Sequence, residues 1–147
     1  MTEEKKDFFV SDISLSYQYT AGNATTRFLN KVAEGKLVAQ KCPKCKAVYV
    51  PPRGSCPGCG VATEEELELP DTGAVESFTI VHIPIPGNPI VPPYVCAMIR
   101  LDGADISFLH LIQEVDLADI RIGMRVQAVW KEKSEWGTTL ENIKWFK

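Results

Sequence analysis

The sequence predicts a mainly β protein, in which an N-terminal helix and a zinc ribbon precede a five-stranded OB-fold barrel. Two observations carry that expectation. Cys42-Pro43-Lys44-Cys45 and Cys56-Pro57-Gly58-Cys59-Gly60 form two C-x2-C pairs with ten residues between them, the spacing of a single tetrahedral zinc site. Beyond an acidic break come five short β-rich segments, with one helical-looking interruption between the third and the fourth, the element order of an OB-fold. The expected divisions are an arm and helix over 1–36, the ribbon over 37–66 and the barrel over 67–147.

Each element has a local cause. Residues 1–24 mix charge with aromatics, Phe8, Phe9, Tyr17 and Tyr19, and form no core alone; such an arm packs along the surface or serves a partner. From Asn23 to Gly35, residues Phe28, Leu29, Val32 and Ala33 fall on one helical face. Asn23 or Thr25 is the expected cap and Gly35 the left-handed stop. Lys36 to Gln40 reads as a strand entering the first knuckle, and Val48-Tyr49-Val50 as the return arm. Glu64, Glu65, Glu66 and Glu68 read as a solvated edge or linker. The barrel strands are expected over 75–83, 94–101, 106–112, 124–131 and 138–146, with a helical turn at 115–120 and a hairpin turn at 102–105. Between the first two strands, 84–93 holds five of the ten prolines, which makes it stiff and keeps Ile85, Ile90 and Val91 available for a ligand, a partner or a barrel cap.

At 147 residues, 45% hydrophobic and 24% charged, the chain can bury one core with a small metal module beside it. Sixteen basic and nineteen acidic side chains give a formal charge of -3, which leaves no global field for nucleic acid or an anionic membrane. The opening Met1-Thr2-Glu3-Glu4-Lys5-Lys6 lacks the apolar run of a signal peptide, and no stretch nears the ~18 apolar residues of a membrane span. A cytoplasmic protein without a membrane partner is expected, a compartment that suits thiols held reduced on metal.

Cys42, Cys45, Cys56 and Cys59 are the candidate metal ligands. A redox pair or two disulfides are the competing readings, but a lone C-x2-C points to redox chemistry and two close ones to metal. With four thiolates and no open position, the zinc would be structural. The fifth cysteine, Cys96, lies in an apolar strand and reads as a small hydrophobe. His82 and His110 read as barrel residues rather than bases, and no catalytic residue is expected. Lys41, Lys44, Lys46 and Arg53 cluster at the knuckles, either as a phosphate site or as countercharge to the thiolates. Trp130, Trp136, Trp145 and Phe146 read as core, rim or contact packing before a stacking platform.

Taken together, Glu34-Gly35-Lys36-Leu37, Lys41-Cys42-Pro43-Lys44-Cys45, Tyr49-Val50-Pro51-Pro52-Arg53 and Cys56-Pro57-Gly58-Cys59-Gly60, followed by Ile122-Gly123-Met124-Arg125-Val126, resemble an archaeal and bacterial family. Its members are OB-fold proteins with a rubredoxin-like zinc ribbon, associated with acyl-CoA metabolism and formerly grouped as a domain of unknown function. The resemblance implies a non-catalytic accessory of thiolase-like enzymes. Archaeal members are similar to the subunit that bridges acetoacetyl-CoA thiolase and hydroxymethylglutaryl-CoA (HMG-CoA) synthase, and bacterial ones partner thiolase-like aldolases acting on steroid side chains. All four cysteines match, so the metal assignment carries over. No CoA contacts are implied residue by residue; the accessory is expected to bind acyl-CoA, the enzyme or both, in acyl-CoA, lipid or isoprenoid metabolism, with acyl-CoA held by this chain alone or at an interface shared with the enzyme. The alternative is a single-stranded nucleic-acid binder, which needs a basic groove interleaved with aromatics. Lys131, Lys133, Lys144 and Lys147 near the tryptophans are interrupted by Glu132, Glu135 and Glu141, which disfavours it.

Overall fold

Helix α1 (Gly22–Ala33) buries Phe28 and Val32 on the expected face. It ends as expected: Gly35 adopts φ +79°, and the Gly35 and Lys36 amides donate back to Val32 and Lys31 carbonyls at 3.0 and 2.9 Å, a Schellman closure. Its start differs from expectation. Ala21 is the N-cap, and no side chain caps it, because Asn23 and Thr25 already lie within the first turn. The computed structural model describes Ser11 and residues 13–147; Met1 to Lys6 and the expected aromatics Phe8 and Phe9 lie outside the described residues.

Three antiparallel strands follow, β1 (Leu37–Lys41), β2 (Val48–Tyr49) and β3 (Glu65–Leu69), in the order β2-β1-β3. Strand β3 makes the acidic run a solvated sheet edge, as one of its two readings expected, and not a linker. It pairs with β1 from Leu37↔Leu69 to Lys41↔Glu65, and its glutamates meet cations: Lys36 with Glu68 at 3.1 Å, Lys41 with Glu65 at 3.7 Å and Arg27 with Glu66 at 3.9 Å. The backbone is satisfied by β1 while the charges stay in water, so a run without alternating hydrophobicity still makes a strand.

The barrel comprises β4 (Thr72–Val81), β5 (Tyr94–Leu101), β6 (Phe108–Ile112), β7 (Arg125–Trp130) and β8 (Ile143–Phe146), closed in the order β4-β5-β6-β8-β7. The last strand is inserted between the third and fourth, parallel to β6 at Ile112↔Phe146, which is OB-fold connectivity. Residues 115–120 hold a single turn, in which the Asp116 carbonyl accepts the Asp119 amide and its carboxylate the Ala118 amide, each at 3.0 Å. The expected fifth strand is half strand: two 3-10 turns, Lys133–Glu135 and Leu140–Asn142, precede β8.

Helix, ribbon sheet and barrel share one apolar core, in which Phe28, Val32, Leu37, Val50 and Leu69 join Val75, Ile99, Leu101 and Phe146. Asp105, in the β5–β6 turn, adds a polar tie: its carboxylate accepts the Val48 amide at 2.7 Å and its own amide donates to the Val48 carbonyl at 3.0 Å. The ribbon is thus locked onto the barrel. Gly73 marks the closest backbone approach, since a Cβ there would sit 2.5 Å from the Arg100 carbonyl oxygen. Gly73→Ala is therefore expected to cost about 2–3 kcal/mol, as overpacking does, read as a lowered denaturation midpoint at unchanged m-value.

At one barrel end, Asp102 receives a bidentate Arg125 guanidinium and the Thr72 hydroxyl. The guanidinium first, then the hydroxyl, holds the Asp102 carboxyl well below the usual carboxylate range. A depressed folded pKa contributes stability above the unfolded value of about 3.9 and loses it as pH falls through the folded one. Thermal stability should therefore decline below about pH 4, and in Asp102→Asn that acid limb should be shallower, measured by pH-dependent melting.

Candidate functional site

The two knuckles are built alike. In each, the first cysteine's amide donates forward, Cys42 to the Ala47 carbonyl and Cys56 to the Val61 carbonyl, both at 2.8 Å. The residue after the second cysteine returns a bond, Lys46 to the Cys42 carbonyl at 3.1 Å and Gly60 to the Cys56 carbonyl at 2.9 Å. Both return residues are left-handed, Gly60 at φ +66° and Lys46 at φ +67°. Glycine at that place is legible in the sequence; lysine is not, and its Nζ bond to the Pro43 carbonyl at 2.9 Å helps hold the turn.

These turns bring Cys42, Cys45, Cys56 and Cys59 together with all four Sγ atoms within 4.8 Å of one another. Zinc–sulfur bonds of about 2.3 Å in a tetrahedron put sulfurs about 3.8 Å apart, and Cys45 and Cys56 Sγ lie at 3.7 Å. The donor set fits a closed, all-thiolate zinc site. The backbone amides of Lys44 and Cys45 point at Cys42 Sγ, and that of Cys59 at Cys56 Sγ. Tyr49, read from the sequence only as part of the return arm and the family string, donates its hydroxyl to Cys56 Sγ at 3.2 Å. That bond draws the Cys56 thiol down to about 6 and pushes the Tyr49 phenol up to about 12, so the thiolate needed by a metal is favoured.

The site is braced from behind. Buried Gln40 accepts the Gly54 amide and the Thr63 hydroxyl, each at 3.1 Å, which joins strand β1 to the loop of the second knuckle. Of the basic cluster, Lys41 is paired with Glu65, Lys46 bonds its own knuckle, and the Arg53 guanidinium lies 5.9 Å from the Tyr49 ring centroid. Three of the four are thus engaged within the ribbon, and Lys44 is exposed.

The other candidates disperse. His82 lies past the end of β4 and is exposed, contrary to its placement within a strand. His110 is in β6, edge-on to Phe108 and Phe146; burial pushes its pKa down, and its Nδ1 accepts the Leu111 amide at 2.9 Å. Trp130 and Trp136 pack on each other at 5.5 Å and donate to Asp71 and the Lys131 carbonyl, so they are fastened internally rather than offered to bases. Lys147 is paired with Glu114 at 2.7 Å.

Where β6 and the segment leading into β8 diverge, the barrel wall opens into a groove of ≈ 460 Å³. Ile90, Leu109, Leu111, Leu140 and Ile143 give it an apolar lining, Cys96 and His110 reach it, and Lys131, Glu141 and Lys144 stand with them. Ile90 also lines a second groove of ≈ 320 Å³ beside Tyr94, Ile112 and Leu117. The proline-rich loop thus separates the two grooves, organised by Asn88, whose side chain donates to Tyr94 Oη and accepts the Ile90 amide. Ile83, Ile85 and Val91 remain exposed beside it. The outward Leu109 and Leu111, alternating along β6, were the sequence signal for this surface. Among the described residues, no helix is long and apolar enough to cross a membrane.

Comparison with known proteins agrees with this architecture. A model of the rubredoxin-like zinc ribbon domain of ChsH2 matches residues 30–65, and one of the ChsH2 C-terminal OB-fold domain matches 66–131. A DUF35 domain-containing scaffold protein of Methanocaldococcus jannaschii is 37% identical over 103 residues, covering 69% of this chain and 72% of that protein. A probable enoyl-CoA hydratase alpha subunit of Thermomonospora curvata is 34% identical over 97 residues, which are 66% of this chain but only 30% of that one. Among solved structures, a DUF35-family protein of unknown function from Sulfolobus solfataricus superposes with a TM-score of 0.63 at 28% identity, over 74% of this chain and 78% of that one. A chain of the Ltp2-ChsH2(DUF35) aldolase gives 0.62 at 29%, over 78% and 90%.

Proposed function

This chain belongs to the DUF35 family of zinc-ribbon OB-fold proteins, and we propose that it is a non-catalytic scaffold for a thiolase-like enzyme or HMG-CoA synthase of acyl-CoA metabolism. Cys42, Cys45, Cys56 and Cys59 hold a structural zinc in this reading. The metal stiffens the ribbon, and the shared core transmits that stiffness to the barrel. The observation that carries the proposal is the open apolar groove at Ile90, Leu109 and Leu111, flanked by the exposed Ile83, Ile85 and Val91. A groove open to solvent does not enclose an apolar chain alone; a second protein laid over the loop would complete it. The acyl or pantetheine arm would then lie at a shared interface, with Lys131 and Lys144 within reach of anionic groups. The relatives' names, a scaffold protein and an enoyl-CoA hydratase subunit, favour the same chemistry.

The test is recovery of the tagged protein from its own cell extract after a moderate-salt wash. A thiolase-like enzyme or HMG-CoA synthase in near-equal amount is the expected result, with acyl-CoA affinity appearing in the complex. Nucleic acid that is lost as salt rises would replace this reading by the single-strand one. Acyl-CoA turnover by the pure chain would overturn the non-catalytic assignment.

A further inference from the structure

Ahead of α1, Ile13, Leu15, Tyr17 and Tyr19 occupy alternate positions, with Ser14, Ser16, Gln18 and Thr20 between and after them. A period of two is that of a strand with one apolar face. Yet among the described residues the segment pairs with nothing, and its four apolar side chains are 83%, 81%, 75% and 81% exposed. The Tyr17 and Tyr19 rings already lie on a common side, 6.1 Å apart. Single exposed hydrophobes are ordinary; four in strand register along an uncharged stretch from Ile13 to Thr26 are an unfilled sheet face.

Among the described residues, no sheet edge is suited to this strand. Its barrel is closed. Of the ribbon's two edges, β2 is two residues long, and β3 carries glutamates engaged with Arg27, Lys36 and Lys41, the charged edge that resists further pairing. A second copy brings the same edges. The absence of Lys and Arg from Ile13 to Thr26 also argues against an anionic lipid surface.

We infer that Ile13–Thr20 is a docking strand, which adds by β-augmentation to an exposed strand edge of the acyl-CoA enzyme this chain accompanies. Ile13, Leu15, Tyr17 and Tyr19 face the enzyme's apolar surface, and the main chain supplies the ladder bonds. The Ser and Gln side chains stay in water. Gly22, at φ +77°, turns the chain between this strand and α1. The inference rests on the scaffold reading above, since it takes its partner from there.

The test uses the full-length chain and the purified enzyme partner recovered with it. Leu15→Lys should weaken the complex at least tenfold, whereas Ser16→Lys, one residue on but on the polar face, should leave affinity within about twofold. Both variants should keep the parent circular dichroism and metal content, since neither side chain is buried. In the complex, hydrogen exchange should slow at alternate amides across Ile13–Thr20. Equal losses from the two lysine variants, or no exchange protection, would overturn the strand. If the unaltered chain binds no acyl-CoA enzyme, the scaffold reading fails and the inference with it; if that complex forms and Leu15→Lys binds it normally, the docking strand alone fails. Loss of self-association instead of enzyme binding would assign the segment to a second copy and refute the proposal.

Discussion

Stripping the metal with a strong chelator is expected to unfold the ribbon and to loosen the barrel with it. The ribbon's own buried cluster is small, Cys42, Tyr49 and Cys56 with Ala47, Cys59, Val61 and Ile106 against them, too little to hold two knuckles in place. Structural zinc contributes roughly 10–16 kcal/mol of apparent binding free energy, comparable with the whole stability of a domain, about 5–15 kcal/mol. Without the ion, the four sulfurs crowd one another, Cys45 Sγ first, and push the Cys59 thiol up, so metal must displace its proton to bind. Because Leu37, Ala39, Val48 and Val50 belong to the common core, the barrel's apolar interior is exposed as they leave. Near-ultraviolet circular dichroism and dye binding should change together on chelation, and Cys45→Ala should purify depleted in zinc with the same signature. Metal-free protein with an unchanged melting curve would refute the structural role.

The second large effect is expected at Asn142, which is fully buried. Its Oδ1 accepts the Gly137 amide at 2.9 Å, while its Nδ2 donates to the Gly137 carbonyl at 2.7 Å and to the Val32 carbonyl at 3.2 Å. One side chain therefore ties the end of α1 to the segment entering β8. Beside it Trp136 covers Gly35, where a Cβ would come within 2.7 Å of the indole ring. Asn142→Leu keeps the volume but loses the buried bond to the Val32 carbonyl and strands the part-buried Gly137 amide and carbonyl, an unsatisfied buried group costing about 1–3 kcal/mol. A loss of about 2–4 kcal/mol is expected, seen as a melting temperature lower by roughly 5–12 °C, with metal content unchanged. A variant that melts like the parent would show that the clamp is dispensable.

The four clustered cysteines and the barrel were legible because their signals are local. Spacing alone pairs Cys42 with Cys45 and Cys56 with Cys59, and Val- and Ile-rich segments between turn residues announce strands whatever they pair with. The α1 stop at Gly35 was legible for the same reason, since a left-handed closure favours glycine. Lys46 adopts that conformation without being glycine, and only the knuckle's hydrogen bonds compel it. Strand β3 was hidden because a run of glutamates has no apolar alternation, and its partner β1 lies more than twenty residues away in the chain.

By itself, then, the sequence determined the four-cysteine cluster fit for a metal, the helix with its C-terminal stop and the five-strand barrel, all properties of composition and short spacing. Tertiary structure alone decided that the acidic run pairs with β1 and neutralises cations on α1 and β1. It also decided that Asn142 closes onto Val32 across 110 positions, and that Leu109 and Leu111 line a groove with Ile90. Those contacts join residues far apart in the chain, and their energies exist only once the backbone has brought the partners together and excluded water from between them.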